Sequence, residues 1–334
     1  MEKIGLSRDI PMLREARERK HGFVPIVEVL IFLAVFLVGS MVESAPASAI
    51  MLGKVLTDST VMQELSSKLM GGDLPGYMEA VMEAMKNQPA WFALVNLFAT
   101  ALMIVIAVLF CRVIQKRMPA SMGFRRGHAL REYLVGALIG AGLLSATVGI
   151  ARLTGGISGF ETAPVSVPMF ILYLLGFAVQ GASEEALCRG YLLVSITRRN
   201  QVWRAVLVSS LVFSLLHIMN PGFGVMPFIN ILLCGAVFGV YMLKRGNIWG
   251  ACAMHSMWNF FQGNVFGISV SGTGAGGGAT LLVSKAGTAS DLWTGGAFGI
   301  EGSLACTFVL AAALVILLFA VKPGKQALCT QNAD

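Results

Sequence analysis

The sequence predicts an all-α membrane protein, a polytopic bundle of about eight transmembrane helices with a polar cavity inside the membrane. Of its 334 residues, 56% are hydrophobic and only 13% are charged, whereas about a quarter are charged in an ordinary soluble domain. The mean hydropathy is +0.73. The apolar residues form runs of about twenty, the length that a helix needs to cross a bilayer. Continuous runs also exclude a transmembrane β-barrel, whose strands would alternate.

Eight apolar runs are expected to be the membrane spans, because a bilayer offers no water to the backbone and each span must bond within itself. They lie near 24–43, 91–111, 132–151, 166–195, 203–219, 226–243, 247–263 and 302–321. We divide the chain accordingly into an N-terminal tail with three spans over 1–165, a core of four spans over 166–263, and a last part over 264–334.

Lys and Arg residues collect on one side of the predicted bundle. They lie in the first twenty residues, between the second and third spans, and after the fourth, sixth and eighth spans. The loops on the other side are acidic or nearly uncharged. Since loops rich in Lys and Arg stay in the cytoplasm, we expect a multi-pass protein of the cell membrane with both termini cytoplasmic. The net charge of +7 has the same explanation and does not indicate nucleic-acid binding.

Two long loops are predicted on the uncharged side. The loop 44–90 carries an amphipathic pattern at Met78, Val81 and Met82, which suits either a helix on the membrane surface or a loop packed over the bundle. The loop 264–301 is rich in glycine, which indicates an irregular loop or a re-entrant segment.

Other features of the sequence are expected to be structural. The six cysteines include no CxxC pair, so neither a disulfide framework nor a thiolate metal site is indicated. Gly136 and Gly140 have the small-xxx-small spacing that lets two helices approach closely. Glu28 and Asp291 have no partner that the sequence identifies, and we expect interfacial or loop carboxylates.

Ionisable and amide side chains lie deep in three of the predicted spans. Because such residues are costly in a membrane, they are functional candidates by default. At 1.5 Å per residue, Glu184 and His217 lie about 21 and 22 Å from the cytoplasmic side, and His255 and Asn259 about 15 and 21 Å. All four therefore fall in one layer of the membrane.

Helical spacing separates two roles among the acidic residues. Glu185 and Arg189 are four residues apart and share a helix face, so we interpret them as a charge-neutralised bridge that supports the helix. Glu184 points elsewhere, since neighbours on a helix differ by about 100°. It is therefore available for chemistry.

The same spacing relates the remaining candidates. His255 and Asn259 are four residues apart, so both can face one cavity. Phe213 lies one turn before His217 and is expected to brace its imidazole.

A carboxylate, two imidazoles and an amide at one depth suit hydrolysis. Glu184 with His217 can bind and deprotonate a water molecule, while His255 with Asn259 can donate hydrogen bonds to a developing oxyanion. A zinc site formed by Glu184, His217 and His255 is an alternative. We rank zinc lower, because no HExxH helix is present and Asn259 is a poor zinc ligand. The preferred mechanism needs no cofactor.

Three motifs occur in order on the fourth, fifth and seventh predicted spans: EExxxR from Glu184, FxxxH from Phe213 and HxxxN from His255. Together they resemble the CPBP family of intramembrane proteases, which comprises CAAX prenyl proteases and bacteriocin-processing enzymes and is also called the Abi family. The resemblance covers about 166–263.

The resemblance implies an eight-span helical fold with a conical cavity and a membrane-embedded peptidase site. By motif position, Glu184 would act with His217 on water, His255 and Asn259 would form the oxyanion hole, and the rest of EExxxR would support them. Family members have been described both as metalloproteases and as metal-independent glutamate proteases, so the resemblance leaves zinc open.

We therefore predict an endopeptidase that acts on membrane-associated or lipidated peptides and proteins, with membrane lipids as its surroundings. One alternative is a non-proteolytic scaffold for bacteriocin immunity or sensor binding that uses the loops 44–90 and 264–301. Such a scaffold would not require four polar groups at one depth. Another alternative is a proton-relaying transporter, against which the lack of inverted repeats weighs.

Overall fold

A computed structural model describes residues 6–19, 22–86, 90–274, 279–324 and 327. Nearly all of the regular structure in these residues is α-helical. The α-helices are α1 Pro11–Arg19, α2 Pro25–Thr57, α3 Ser59–Met70, α4 Leu74–Lys86, α5 Ala90–Ala99, α6 Ala101–Val113, α7 Ala129–Leu153, α8 Val167–Glu185, α9 Val194–Thr197, α10 Val202–Leu215, α11 Val225–Arg245, α12 Trp249–Phe260, α13 Asp291–Thr294 and α14 Leu304–Phe319.

The remaining regular segments are short. Two π-helical segments follow α8 and α12 directly, at Ala186–Leu193 and Phe261–Val265. The two strands, β1 Ile157–Thr162 and β2 Leu282–Ala286, pair in antiparallel orientation. This ladder, which the sequence analysis did not predict, ties together the segments that follow α7 and α12. Three 3-10 segments complete the set, at Pro119–Met122, Gly296–Phe298 and Ile300–Gly302.

The structure confirms the predicted fold class, a helical membrane bundle. Five helical stretches are long and apolar enough to cross a membrane, and two shorter apolar helices match the predicted fifth and eighth spans. The five stretches are Pro25–Lys54, Trp91–Val113, Ala129–Leu153, Val167–Thr197 and Val225–Arg245.

The described part of the predicted loop 44–90 is helical except at the short connections at Asp58 and residues 71–73. Its beginning is a continuation of α2, which ends at Thr57 rather than near residue 43. The helix ends there because Asp58 is extended and its carboxylate accepts hydrogen bonds from the Thr60 and Val61 amides, which caps α3. Helices α3 and α4 then pack against each other. Most of the described part of this segment is exposed.

Part of the predicted glycine-rich loop, residues 275–278, lies outside the described residues. The described remainder is ordered by β2, α13 and the 3-10 turns. Asp291, for which the sequence identified no partner, begins α13 and accepts a hydrogen bond from the Thr294 hydroxyl (3.3 Å).

The seventh predicted span, 247–263, forms the centre of the bundle. It consists of α12 and the start of the second π-helical segment, and nearly every residue of α12 is buried. The helix packs against α7, α8 and α11. Its polar side chains therefore face other helices rather than lipid.

Gly136 and Gly140 on α7 allow α12 to approach, as their spacing predicted. A Cβ atom at Gly136 would lie 2.2 Å from the Gly250 carbonyl oxygen, and one at Gly140 would lie 2.2 Å from the Met254 carbonyl oxygen. Both distances are far inside van der Waals contact. The two glycines thus determine how closely α12 can sit against α7.

Buried and half-buried polar groups join the helices at the end of the bundle where α1 packs against Pro119–Met122 and α9. Glu28, expected to be an interfacial carboxylate, is fully buried there. It accepts a hydrogen bond from the Phe23 amide (3.0 Å) and lies 3.8 Å from Arg198. Lys244 at the same end donates hydrogen bonds to the last carbonyl groups of α14 and its C-terminal extension.

We expect Gly140→Ala to lower the free energy of unfolding by about 1–3 kcal/mol, because the new methyl group meets a backbone atom that no rotamer change can move. The measurement is the midpoint of thermal unfolding of the purified protein in detergent. Gly142→Ala is the matched control on the same helix, where nothing lies within 4 Å of the added Cβ. Equal midpoints for the two variants would contradict the close packing.

Candidate active site

The site begins at the end of α8. Gly181 lets this helix approach α12 at Ser256, whose backbone nitrogen would lie 2.7 Å from a Cβ atom on the glycine. Glu184 and Glu185 follow within one turn, directly before the π-helical segment Ala186–Leu193. Single π-helical turns are rare and are frequent at functional sites.

Glu185 and Arg189 form the buried bridge that their spacing predicted. Both side chains are fully buried, and Arg189 Nη1 lies 3.0 Å from Glu185 Oε1. The guanidinium carbon lies 4.2 Å from the ring centre of Phe213 and 5.7 Å from that of Phe238. Two aromatic faces and one carboxylate thus enclose this cation.

The same oxygen of Glu185 holds His255 on α12. His255 Nδ1 lies 3.0 Å from Glu185 Oε1. Because a carboxylate oxygen accepts, Nδ1 carries a proton, and the other ring nitrogen, Nε2, lies 3.7 Å from Glu184 Oε2. The His255 ring therefore stands between two carboxylates.

Glu184 differs from its neighbour in exposure, since about a third of its side chain (31%) is accessible whereas that of Glu185 is fully buried. Its Oε1 accepts a hydrogen bond from Gln180, one turn earlier on α8. Gln180 Oε1 in turn accepts from Asn259 Nδ2 (2.9 Å). A chain of side-chain amides therefore connects Asn259 to Glu184.

His217 lies just beyond α10, which ends at Leu215 rather than near residue 219 as predicted. Its Nδ1 is 2.9 Å from the Phe213 carbonyl oxygen, and its backbone amide donates to Ser214 instead. The imidazole thus binds the Phe213 carbonyl oxygen, to which the His217 backbone amide would donate if the α-helix continued. Since a carbonyl only accepts, Nδ1 carries the proton and Nε2 is an acceptor. The rings of Phe213 and His217 are 5.0 Å apart, edge to face.

Glu184, His217, His255 and Asn259 line one cavity of about 380 Å³. The structure thus brings together the four residues for which the sequence predicted a common depth. Other walls come from α2, α5 and the segment after α12, through Glu43, Asn96 and residues 270–274. A peptide segment could enter such a cavity with its backbone beside the four polar groups.

Sequence reasoning missed several residues of this site. Gln180 was detectable, since it is a polar residue one helical turn before Glu184. Phe238, whose ring lies 5.3 Å from that of His255, gave no signal within its apolar run. Glu43 could not be identified from the sequence either, because its position beside the site depends on how α2 packs.

Glu301 is a further missed residue, and it orders one wall of the cavity. Its carboxylate is buried and accepts hydrogen bonds from the Ser271 amide (2.6 Å) and hydroxyl (2.9 Å) and from Gln262 (3.1 Å). Asn220 also donates to the Ser271 carbonyl oxygen (2.8 Å). These hydrogen bonds hold Ser271 at the rim of the cavity.

Among the described residues, no group of three or more His, Cys, Asp or Glu side chains is arranged to hold a metal ion. Glu184, His217 and His255, the zinc ligands that the sequence offered, thus line one cavity without forming such a cluster. His255 binds Glu185 through Nδ1, which leaves Nε2 on the side of Glu184.

Comparison with known protein families finds a match for the central part of the chain. Residues 166–261 match the family model described as type II CAAX prenyl endopeptidase Rce1-like. We refer to these matched residues as the Rce1-like core. The match confirms the resemblance that the three motifs indicated, and it covers less than a third of the 334 residues. It supports, in general terms, a CAAX-type intramembrane endopeptidase. No curated protein and no solved structure matches the chain.

Within the Rce1-like core, we expect Arg189→Met to lower the free energy of unfolding by about 3–5 kcal/mol, because it leaves the buried Glu185 carboxylate without its cation. Thermal unfolding in detergent measures the loss. Arg199→Met, at an exposed arginine of the same chain segment, is the control.

The double variant Glu185→Gln with Arg189→Met removes both charges and should recover part of the lost stability. A double variant no more stable than Arg189→Met would show that the charge left behind is not the cause.

Proposed function

We propose that this protein is an intramembrane endopeptidase that hydrolyses peptide bonds of membrane-associated or lipidated peptides. The observation that carries the proposal is the shared cavity, which is lined by a partly exposed carboxylate, two imidazoles and an amide. The Rce1-like match supports the same class of reaction and substrate. A purely binding role would not require these four groups around one cavity.

In the proposed mechanism, Glu184 is the general base. The accessible part of its carboxylate takes a proton from a water molecule in the cavity. His217 orients that water, because its Nδ1 proton is held by the Phe213 carbonyl oxygen and Nε2 is an acceptor. Phe213 in turn packs against the ring, so that the imidazole has one orientation.

His255 and Asn259 are proposed to stabilise the oxyanion. Asn259 uses one N–H for Gln180 and has a second N–H to donate. His255 donates Nδ1–H to Glu185, so its Nε2 donates only when the ring carries both protons. In that form each ring nitrogen has a carboxylate beside it, Glu185 at Nδ1 and Glu184 at Nε2. As the substrate carbonyl oxygen becomes negative, it would accept a hydrogen bond from Nε2–H.

The step balances with water as the only co-reactant. The water oxygen bonds to the carbonyl carbon, and its proton passes to Glu184. The carbon–nitrogen bond then breaks, and Glu184 returns that proton to the departing nitrogen. The products are a carboxylic acid and an amine, which become a carboxylate and an ammonium ion when one proton passes between them, and the enzyme regains its starting form.

We further propose that the protein lies in the cell membrane with both termini in the cytoplasm. The proposal rests on the Lys and Arg bias of the loops. The folded chain supports it, because several of these basic segments meet at one end of the bundle. There α1 packs against Pro119–Met122 and α9, and Trp249 Nε1 donates to the Arg125 carbonyl oxygen (2.8 Å).

Glu184→Gln should retain the fold and lower kcat at least 10³-fold, because it preserves the size of the side chain and removes the base. The assay is cleavage of quenched peptides, some prenylated at a cysteine, by the purified protein in liposomes. Glu161→Gln, at an exposed carboxylate on β1, is the matched control and should cleave normally. Normal turnover by Glu184→Gln would overturn the mechanism. A wild-type protein that binds these peptides and cleaves none would favour the scaffold alternative.

Asn259→Ala should lower kcat about 10²–10³-fold with a smaller change in KM, because an oxyanion donor acts mainly in the transition state. Steady-state kinetics with the same peptides measure both constants. Asn96→Ala, at another amide that lines the cavity, is the control. An equal loss of kcat in both variants would argue against a specific role for Asn259.

A further inference from the structure

We propose that Glu43 determines substrate specificity in this site, so that the cavity prefers peptides with Lys or Arg beside the scissile bond and disfavours acidic ones. The inference rests on the proposed peptidase function and deepens it. Glu43 belongs to α2, outside the Rce1-like match over 166–261.

Glu43 lies in the wall of the catalytic cavity. It lines the cavity of about 380 Å³ together with Glu184, and both also line an adjoining cavity of about 430 Å³. Among the described residues, no hydrogen bond or ion pair engages the Glu43 carboxylate. This charge is therefore open to a ligand.

The described wall of the cavity provides no Lys or Arg side chain that could pair with Glu43. Its described lining residues include two carboxylates and two imidazoles and no Lys or Arg side chain. The buried Arg189 guanidinium is already paired with Glu185 and covered by aromatic rings. Charges of one sign in a low-dielectric cleft act over several ångströms and attract ligands of the opposite sign.

This arrangement selects among peptide side chains by charge. A Lys or Arg near the scissile bond can pair with Glu43, so that Glu184 remains free to deprotonate the water molecule. An Asp or Glu at the same place would lie near two carboxylates. Asn96 and Thr100, which line both cavities, add uncharged hydrogen-bonding groups.

The test uses quenched, farnesylated peptides that differ only in one residue, Lys, Gln or Glu, placed in turn at each of several positions around the prenylated cysteine. The full-length protein in neutral-lipid liposomes is assayed as wild type, Glu43→Gln and Glu43→Asp. Glu79→Gln, which removes an exposed carboxylate on α4, is the charge-matched control.

We expect the wild-type kcat/KM for the best Lys peptide to exceed that for its Glu counterpart by about tenfold or more, which corresponds to 1.4 kcal/mol. The ratio should approach one in Glu43→Gln and persist in Glu43→Asp and Glu79→Gln. Raised salt should reduce this ratio only partly, because ions in solution screen an ion pair inside the cavity less than one on the surface. An unchanged ratio in Glu43→Gln, or no charge preference in the wild type, would overturn the proposal.

Failure of the peptidase function would look different. It would appear as no cleavage of any peptide by the wild type, or as cleavage that persists in Glu184→Gln. Binding of the same peptides, measured by fluorescence anisotropy, then decides the charge preference. A lower Kd for Lys than for Glu peptides that is lost in Glu43→Gln supports the role of Glu43, and equal values overturn it.

Discussion

One buried oxygen atom, Oε1 of Glu185, joins the two helices on which the site is built. It lies 3.0 Å from Arg189 Nη1 and 3.0 Å from His255 Nδ1, so it links the end of α8 to the middle of α12. A buried carboxylate costs several kcal/mol unless it is paired and hydrogen-bonded. With Glu185 committed to this role, its neighbour Glu184 is directed toward the cavity. The different surroundings of the two adjacent glutamates, one buried and paired and one facing the cavity, thus follow from helix geometry and from the free-energy cost of burying a carboxylate.

This contact requires backbones that lie unusually close. Gly181 on α8 and the pair Gly136 and Gly140 on α7 remove the side chains that would hold α12 away. The helix is thereby enclosed on several sides, and its polar residues meet partners rather than lipid. The two π-helical segments lie beside the proposed catalytic groups, where a locally widened helix changes the direction of the side chains that follow. In the proposed mechanism, catalysis therefore depends on the same helix contacts as stability.

The proposed catalytic groups and the rest of the cavity wall come from different parts of the chain. Glu184, His217, His255 and Asn259 all belong to the Rce1-like core. Glu43, Asn96 and the rim residue Ser271, held by Glu301, lie outside it and complete the cavity. The negative wall formed by Glu43 is the feature that we connect with substrate choice.

Much of the fold and the central part of the site could be predicted from local properties of the sequence. Runs of apolar residues identified the helices, and spacings of four residues identified the Glu185–Arg189 bridge and the shared face of His255 and Asn259. The length of α2 and the end of α10 were misjudged, because hydropathy does not record the Asp58 cap or the bond from the His217 ring to the Phe213 carbonyl group.

The sequence by itself determined the membrane-bundle class, the order of the helices and which polar residues share a helix face, since all of these are set by residues close together in the chain. Only the tertiary structure decided that β1 pairs with β2, that Glu185 holds His255, that Gln180 connects Asn259 to Glu184, and that Glu43 enters the cavity. These contacts join residues distant in sequence, and their formation depends on how closely the helices pack, which no local spacing encodes.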